Sequence, residues 1–244
     1  MDVFSIFAHT DAWIALATLT FLEIILGVDN IIFISILTSK LPRNQQGRAR
    51  IIGLSGALVV RLLFLLGIGL IIHATDPLIV VRGVPLSTKD LILLLGGLFL
   101  LAKSTSEIHE KVTAGNDPEK EIRARKLNFT SIVLQVVALD IVFSFDSILT
   151  AIGLTEHIVI MALAIIISMV VMLIFINLIA DFIVRYPTLQ ILGLSFLILI
   201  GTMLMVEAFH IHVPKGYIYF AFFYAFAVEM INMRIRSKQS KPRA

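Results

Sequence analysis

Apolar residues in this chain come in runs of about twenty, the length of helix that crosses the hydrocarbon core of a bilayer. Seven spans are expected, at roughly 12–38, 50–72, 90–108, 128–153, 157–183, 188–209 and 216–233. Leu41-Pro42, Asp76-Pro77, Val84-Pro85, Tyr186-Pro187 and Val213-Pro214 punctuate the joints. The joint between Gly153 and His157 is the least marked. The chain is 58% hydrophobic and 15% charged, where a soluble domain is about 45–50% apolar and 25% charged. That balance excludes a soluble enzyme and a disordered chain. With no cysteine, disulfides, zinc ribbons and thiolate chemistry are excluded as well. The first residues carry no basic stretch, so the first span is expected to be retained as a functional helix.

The net charge of +3 matters less than its placement. Lys40, Arg43, Arg48 and Arg50 fall in the first loop, Lys111, Lys120, Arg123, Arg125 and Lys126 in the third, Arg185 in the fifth, and Arg234, Arg236, Lys238, Lys241 and Arg243 in the C-terminal tail. The alternate loops hold only Arg82, Lys89 and Lys215. Positive charge stays in the cytoplasm, so the N-terminus is expected outside and the C-terminus inside. The basic residues set orientation and do not point to nucleic acid. A single membrane domain is expected over 1–235, with a polar cytoplasmic linker at 111–127 and a basic tail at 235–244.

An internal repeat lies in the acidic residues. Residues 22–32 read Leu-Glu-Ile-Ile-Leu-Gly-Val-Asp-Asn-Ile-Ile, and residues 139–149 read Leu-Asp-Ile-Val-Phe-Ser-Phe-Asp-Ser-Ile-Leu. Both copies place two acids six residues apart, the second followed by a small polar residue. A weaker match joins Gly96-Gly97-Leu98-Phe99 to Gly193-Leu194-Ser195-Phe196. Spans one to three (12–110) therefore resemble spans four to six (128–210), and span seven (216–234) is extra. An odd number of spans per copy inverts the second copy across the membrane. Many secondary transporters are built this way, with the site at the midplane between the copies. Glu23, Asp29 and Asp140 all fall 11–14 residues from a span boundary marked by Asp11, Lys40 or Lys126, which is mid-bilayer at 1.5 Å per residue.

An ionised Asp at mid-helix costs at least about 2.5–3.5 kcal/mol to insert. The spans offer Arg61 and Lys103 as internal partners. Even if both pair with the four acids Glu23, Asp29, Asp140 and Asp146, two negative charges are left over, which calls for a divalent cation or protons. On an unbroken helix Asp29 and Asp146 lie about 120° from their six-residue partners. A break at Gly27 and at Ser144 is expected to turn all four inward and to free backbone carbonyls. With Asn30 and Ser147 alongside, the donors are hard oxygens, suited to Mn²⁺, Ca²⁺ or Mg²⁺. Glu107, Glu110 and Glu207 read as solvated acids at span mouths, Asp181 and Arg185 as an i,i+4 pair, and Glu229 as a local partner of Arg234, its role otherwise open. His210 and His212 read as loop residues. No phosphate-binding loop is present, so any transport is secondary or passive, and carboxylates that exchange metal for protons would couple it.

Glu-Ile-x-Leu-Gly-x-Asp-Asn in the first span, together with Asp-x-x-Phe-Ser-x-Asp-Ser in the fourth, resembles the TerC family of integral membrane proteins, named for tellurite resistance and including Alx-type manganese proteins. The likeness extends over about 10–235, through Asp90–Gly97 and His212–Tyr217. It implies Mn²⁺ export and metal homeostasis in the bacterial inner membrane, with Glu23, Asp29, Asp140 and Asp146 as motif acids beside Asn30 and Ser147. Outward direction rests on the resemblance alone. The expected protein is thus an all-α, non-enzymatic secondary transporter with a divalent metal as substrate (Mn²⁺ first; Ca²⁺, Mg²⁺ or Fe²⁺ as alternatives), no organic cofactor, and an oligomeric state the sequence leaves open. The alternatives are an assembly or partner-binding protein with a structural metal site, and an intramembrane aspartyl hydrolase. Four near-equivalent acids in symmetric copies suit a metal cage better than an asymmetric acid–base pair.

Overall fold

The computed structural model describes residues 7–67, 75–81, 84–113, 128–155, 157–211 and 213–239; within these, the side chains of Asp29, Val81, Val84, Asp146, Lys215 and residues 237–239 lie outside the description. Among the described residues there are seven helices long and apolar enough to cross a membrane. They are α1 (Thr10–Thr38), α2 (Arg43–Leu66), α3 (Thr88–Thr113), α4 (Phe129–Leu154), α5 (Ile158–Arg185), α6 (Pro187–Ala208) and α7 (Lys215–Gln239). This is an all-α polytopic membrane protein. In lipid each backbone N–H must find its carbonyl inside its own segment, so runs rich in Ile and Val become helices despite their strand preference in water.

The connections are short. Ser39–Pro42 turns through Leu41 N–H onto Thr38 O at 3.0 Å, and Tyr186 alone separates α5 from α6, with Pro187 in the first turn of α6. Proline suits that place because its missing N–H is unpaired there anyway. Helices joined so tightly run antiparallel. The result is a bundle with a basic end, holding residues 39–43, 111–113 and 185–187, and an opposite end.

Three pairs dominate the packing: α3 along α6, α1 along α5 and α2 along α4, with α7 resting on α6. Exchanging α1 with α4, α2 with α5 and α3 with α6 maps this set of pairs onto itself. At the α3–α6 crossing the backbones touch. A Cβ on Gly97 would lie 2.6 Å from the carbonyl oxygen of Gly201, and one on Gly201 would lie 2.9 Å from that of Gly97. The glycines of the weaker repeat match behave alike too. Gly96 of α3 receives Val142 of α4, and Gly193 of α6 receives Ile32 of α1. Each acidic helix thus wedges an aliphatic side chain against the glycine of the other copy's third helix. The core runs through Ile31–Leu37 of α1, Leu54 and Ala57 of α2, Leu93 and Leu100 of α3, and Leu194 and Leu197 of α6. Tyr217, Phe220, Phe223 and Tyr224 of α7 point outward, as aromatic side chains do beside lipid.

Several boundaries depart from expectation. The second helix begins at Arg43 and not at 50, because Arg43–Ala49 supply a polar first two turns that a hydropathy window leaves out; its expected end at 72 falls partly outside the described residues. The third runs on to Thr113, into the expected linker, whose positions 114–127 lie outside the described residues. Between α2 and α3 the chain forms an unexpected antiparallel hairpin, β1 (Pro77–Val81) with β2 (Val84–Ser87), in register Val81↔Val84, Val80↔Pro85 and Ile79↔Leu86. The β-branched run Ile79-Val80-Val81, with Arg82-Gly83 after it, is a hairpin signal that the neighbouring spans mask.

The largest difference concerns the expected breaks. Both α1 and α4 run as uninterrupted α-helix through Gly27 and Ser144. Gly27 is small because Met172 of α5 packs there: a Cβ would meet its Sδ at 2.2 Å. Ser144 stays helical, and its hydroxyl donates to Asp140 Oδ2 at 3.0 Å.

Candidate functional site

Glu23 sits near the middle of α1 and Asp140 near the middle of α4, and both are buried. Arg61 reaches them from α2, on the stripe Arg50, Gly53, Leu54, Ala57, Arg61 and Leu65 that faces the bundle interior. Its Nη1 lies 2.5 Å from Glu23 Oε2. Its Nη2 donates to Asp140 Oδ1 at 2.8 Å, and its Nε to Asp140 Oδ2 at 3.1 Å. The fork of a guanidinium matches a carboxylate in this two-bond way. Arg61 is 1% exposed.

Asp140 has further donors. Asn30 Nδ2 reaches Oδ1 at 3.1 Å across the α1–α4 contact, and Ser144 completes the set from one turn along. Ser147 is buried with its Oγ on the Ser144 carbonyl at 3.3 Å. The structure therefore brings together Glu23, Asn30, Asp140, Ser144 and Arg61, with Ser147 one turn on. Asp29 and Asp146 belong to the same two helices, but their side chains lie outside the described residues. Among the described residues no three His, Cys, Asp or Glu side chains gather as a metal cage.

Lys103 does not join this cluster. Its Nζ lies 2.8 Å from Glu107 Oε1 on its own helix, and Lys40 Nζ lies 2.6 Å from the same oxygen. Glu107, expected at a solvated mouth, is 1% exposed and neutralised by two lysines; Lys40 also reaches the more exposed Glu110 at 2.7 Å. With Lys103 so engaged, Arg61 is the cation at the core acids among the described residues. One positive charge against the two described acids, Glu23 and Asp140, leaves one negative charge over.

Sequence reasoning missed Arg50, counted there as a loop charge. It is 2% exposed and donates to Thr38 Oγ1 at 3.2 Å, Asn177 Oδ1 at 3.2 Å and Asp181 Oδ1 at 3.1 Å, fastening α1, α2 and α5 at the basic end. Asp181 thus pairs with Arg50 rather than with Arg185. Glu229 has Asn232 Nδ2 at 3.5 Å in place of Arg234. At the opposite end Ser87 and Asp90 form a reciprocal cap on α3, Ser87 N–H to Asp90 Oδ2 at 2.8 Å and Asp90 N–H to Ser87 Oγ at 3.2 Å, a capping box. His210 Nε2 sits 3.1 Å from the same carboxylate, joining the end of α6 to the start of α3. His212 lies outside the described residues.

The profile of the integral membrane protein TerC family matches residues 8–243. The chain belongs to the TerC family. It is 47% identical over 238 residues to the UPF0053 inner membrane protein YgdQ of Escherichia coli K12, covering 98% of this chain and 99% of that one. It is 46% identical over 234 residues to a UPF0053 protein of Haemophilus influenzae, covering 96% and 98%. It is also 42% identical over 224 residues to the E. coli UPF0053 inner membrane protein YoaE, covering 92% of this chain and 43% of that longer one. No solved structure matches. This TerC protein is a multi-pass protein of the inner membrane.

Proposed function

We propose that this TerC protein is a secondary transporter that exports a divalent metal ion, Mn²⁺ in the first place, by alternating access around the carboxylates of α1 and α4. The observation that carries this reading is the meeting of Glu23 and Asp140, equivalent positions of the two acidic motifs, on one guanidinium in the membrane core. A purely structural ion pair needs one acid. Here two acids from two repeat-related helices converge, and a further acid follows six residues along each helix. Carboxylate, amide and hydroxyl oxygens form a donor set that suits Mn²⁺, Mg²⁺ or Ca²⁺.

The exchange pattern of the helix pairs supports two inverted repeats, the architecture that lets two bundles rock about a central site. With α1 and α4 unbroken, the ligands come from side chains and not from freed carbonyls, so rocking of whole helices replaces local unwinding. The positive-inside count gives the orientation, basic end in the cytoplasm. The outward direction rests on the family. The reading includes no enzymatic step and no organic cofactor.

The test is cellular. A strain lacking its own Mn²⁺ exporters and expressing this protein under Mn²⁺ load should hold several-fold less Mn by elemental analysis than one expressing Asp146→Asn at equal membrane abundance. Equal Mn contents would remove the reading. An assembly or partner-binding role with a structural metal site would show that result.

A further inference from the structure

Arg61 is more than a counter-charge that happens to be near. Its guanidinium uses the same Asp140 oxygens that a metal would need, and Oδ1 and Oδ2 each already accept more than one donor. A hard divalent ion takes carboxylate oxygens at about 2.0–2.6 Å. Sharing Asp140 with a guanidinium at 2.8 Å would hold two cations about 4–5 Å apart in a medium of low dielectric, which disfavours the doubly occupied carboxylate. Metal binding to Asp140 therefore competes with Arg61.

Three features fit a displaceable cation better than a fixed bolt. Asp140 keeps Asn30 and Ser144 as donors when Arg61 departs, so its carboxylate stays oriented. The α2–α4 seam about one and a half to two turns before Arg61 packs Gly53 and Gly56 against Val136 and Val137, apolar contacts that do not hold the Arg61 side chain. Arg61 also breaks the repeat: α5, the counterpart of α2, carries no Lys or Arg between Ile158 and Val184. A symmetric ligand set with a single asymmetric cation has one switchable element.

We propose that Arg61 is a tethered counter-cation for the transport cycle: seated on Glu23 and Asp140 it compensates part of their charge in the unloaded carrier, the incoming divalent metal displaces it, and its return after metal release allows the unloaded carrier to reorient. This rests on the transport reading above and adds to it the identity of the competing cation.

The experiment uses the full chain in proteoliposomes with ⁵⁴Mn²⁺, wild type beside Arg61→Gln and Arg61→Lys, and reads three quantities. Equilibrium Mn²⁺ binding should tighten about tenfold in Arg61→Gln, because the competing state is removed from the population. Exchange of Mn²⁺ for Mn²⁺, which never needs the unloaded return, should stay within about threefold of wild type. Net flux into Mn-free medium should fall at least about tenfold in Arg61→Gln and recover in part with added guanidinium ion. Arg61→Lys keeps the charge without the two-bond fork, so it should bind Mn²⁺ more tightly than wild type and keep net flux; it also serves if Arg61→Gln does not fold. Unchanged or weaker Mn²⁺ binding in both variants, or net flux and exchange lost together in folded protein, would overturn the role of Arg61. Wild type that neither binds nor carries Mn²⁺ would instead overturn the transport reading itself.

Discussion

Asp140 accepts from Arg61, Asn30 and Ser144 at once, so its neighbours are not equal in energy. Asp140→Asn leaves a buried guanidinium with Glu23 alone, and breaking a buried pair in this way costs about 3–5 kcal/mol. Ser144→Ala removes one neutral donor and should cost about 0.5–1.5 kcal/mol. Denaturant unfolding in detergent checks the order, and a Ser144→Ala variant as unstable as Asp140→Asn would contradict it. The motif acids were legible in the sequence because a charge within an apolar run stands out, and Arg61 stood out for the same reason. Glu107 and Arg50 were not. The Lys40 that neutralises Glu107 comes from the turn after α1, and the Asp181 that receives Arg50 lies 131 residues away. Local spacing offered Lys103 to the core acids and Arg185 to Asp181, and tertiary packing chose otherwise.

Helix existence followed from run length, since lipid leaves the backbone few alternatives. Helix interiors were harder to read. A glycine beside an acid suggests a break, yet Gly27 is an accommodation for Met172, which only the partner helix reveals. The two kinds of glycine contact predict different costs. A Cβ at Gly97 meets a backbone oxygen at 2.6 Å, whereas a Cβ at Gly27 meets the mobile end of a methionine. Gly97→Ala should push α3 from α6 and destabilise by about 1–3 kcal/mol, and Gly27→Ala should cost less than about 1.5 kcal/mol as Met172 repacks. Thermal unfolding of the two variants decides; a Gly97→Ala variant as stable as wild type would mean that the α3–α6 crossing is looser than the structure has it. The hairpin β1–β2 escaped the sequence reading because its apolar strand Leu78–Val81 sits between two spans and adds to their hydropathy.

At the scale of the whole molecule, the bundle has one end rich in Lys and Arg, and its helix pairs map onto themselves when the two halves exchange. The orientation this implies is open to labelling, because the chain contains no cysteine. A membrane-impermeant maleimide added to intact cells should label His9→Cys and spare Asn44→Cys until the membrane is opened; the opposite pattern would invert the proposed topology and with it the direction of transport. Two acidic motifs and two glycines suggested a repeat in the sequence, while the pairing of helices that is consistent with it required the fold. The central claim is that the paired acids of α1 and α4 carry a metal across the membrane. The most direct measurement is ⁵⁴Mn²⁺ flux in proteoliposomes of the wild type, Asp29→Asn and Asp146→Asn at matched reconstitution. The account predicts Mn²⁺-dependent flux in the wild type, reduced to the protein-free background by either substitution. Wild-type flux at that background, or substitutions that leave the flux intact, would contradict it.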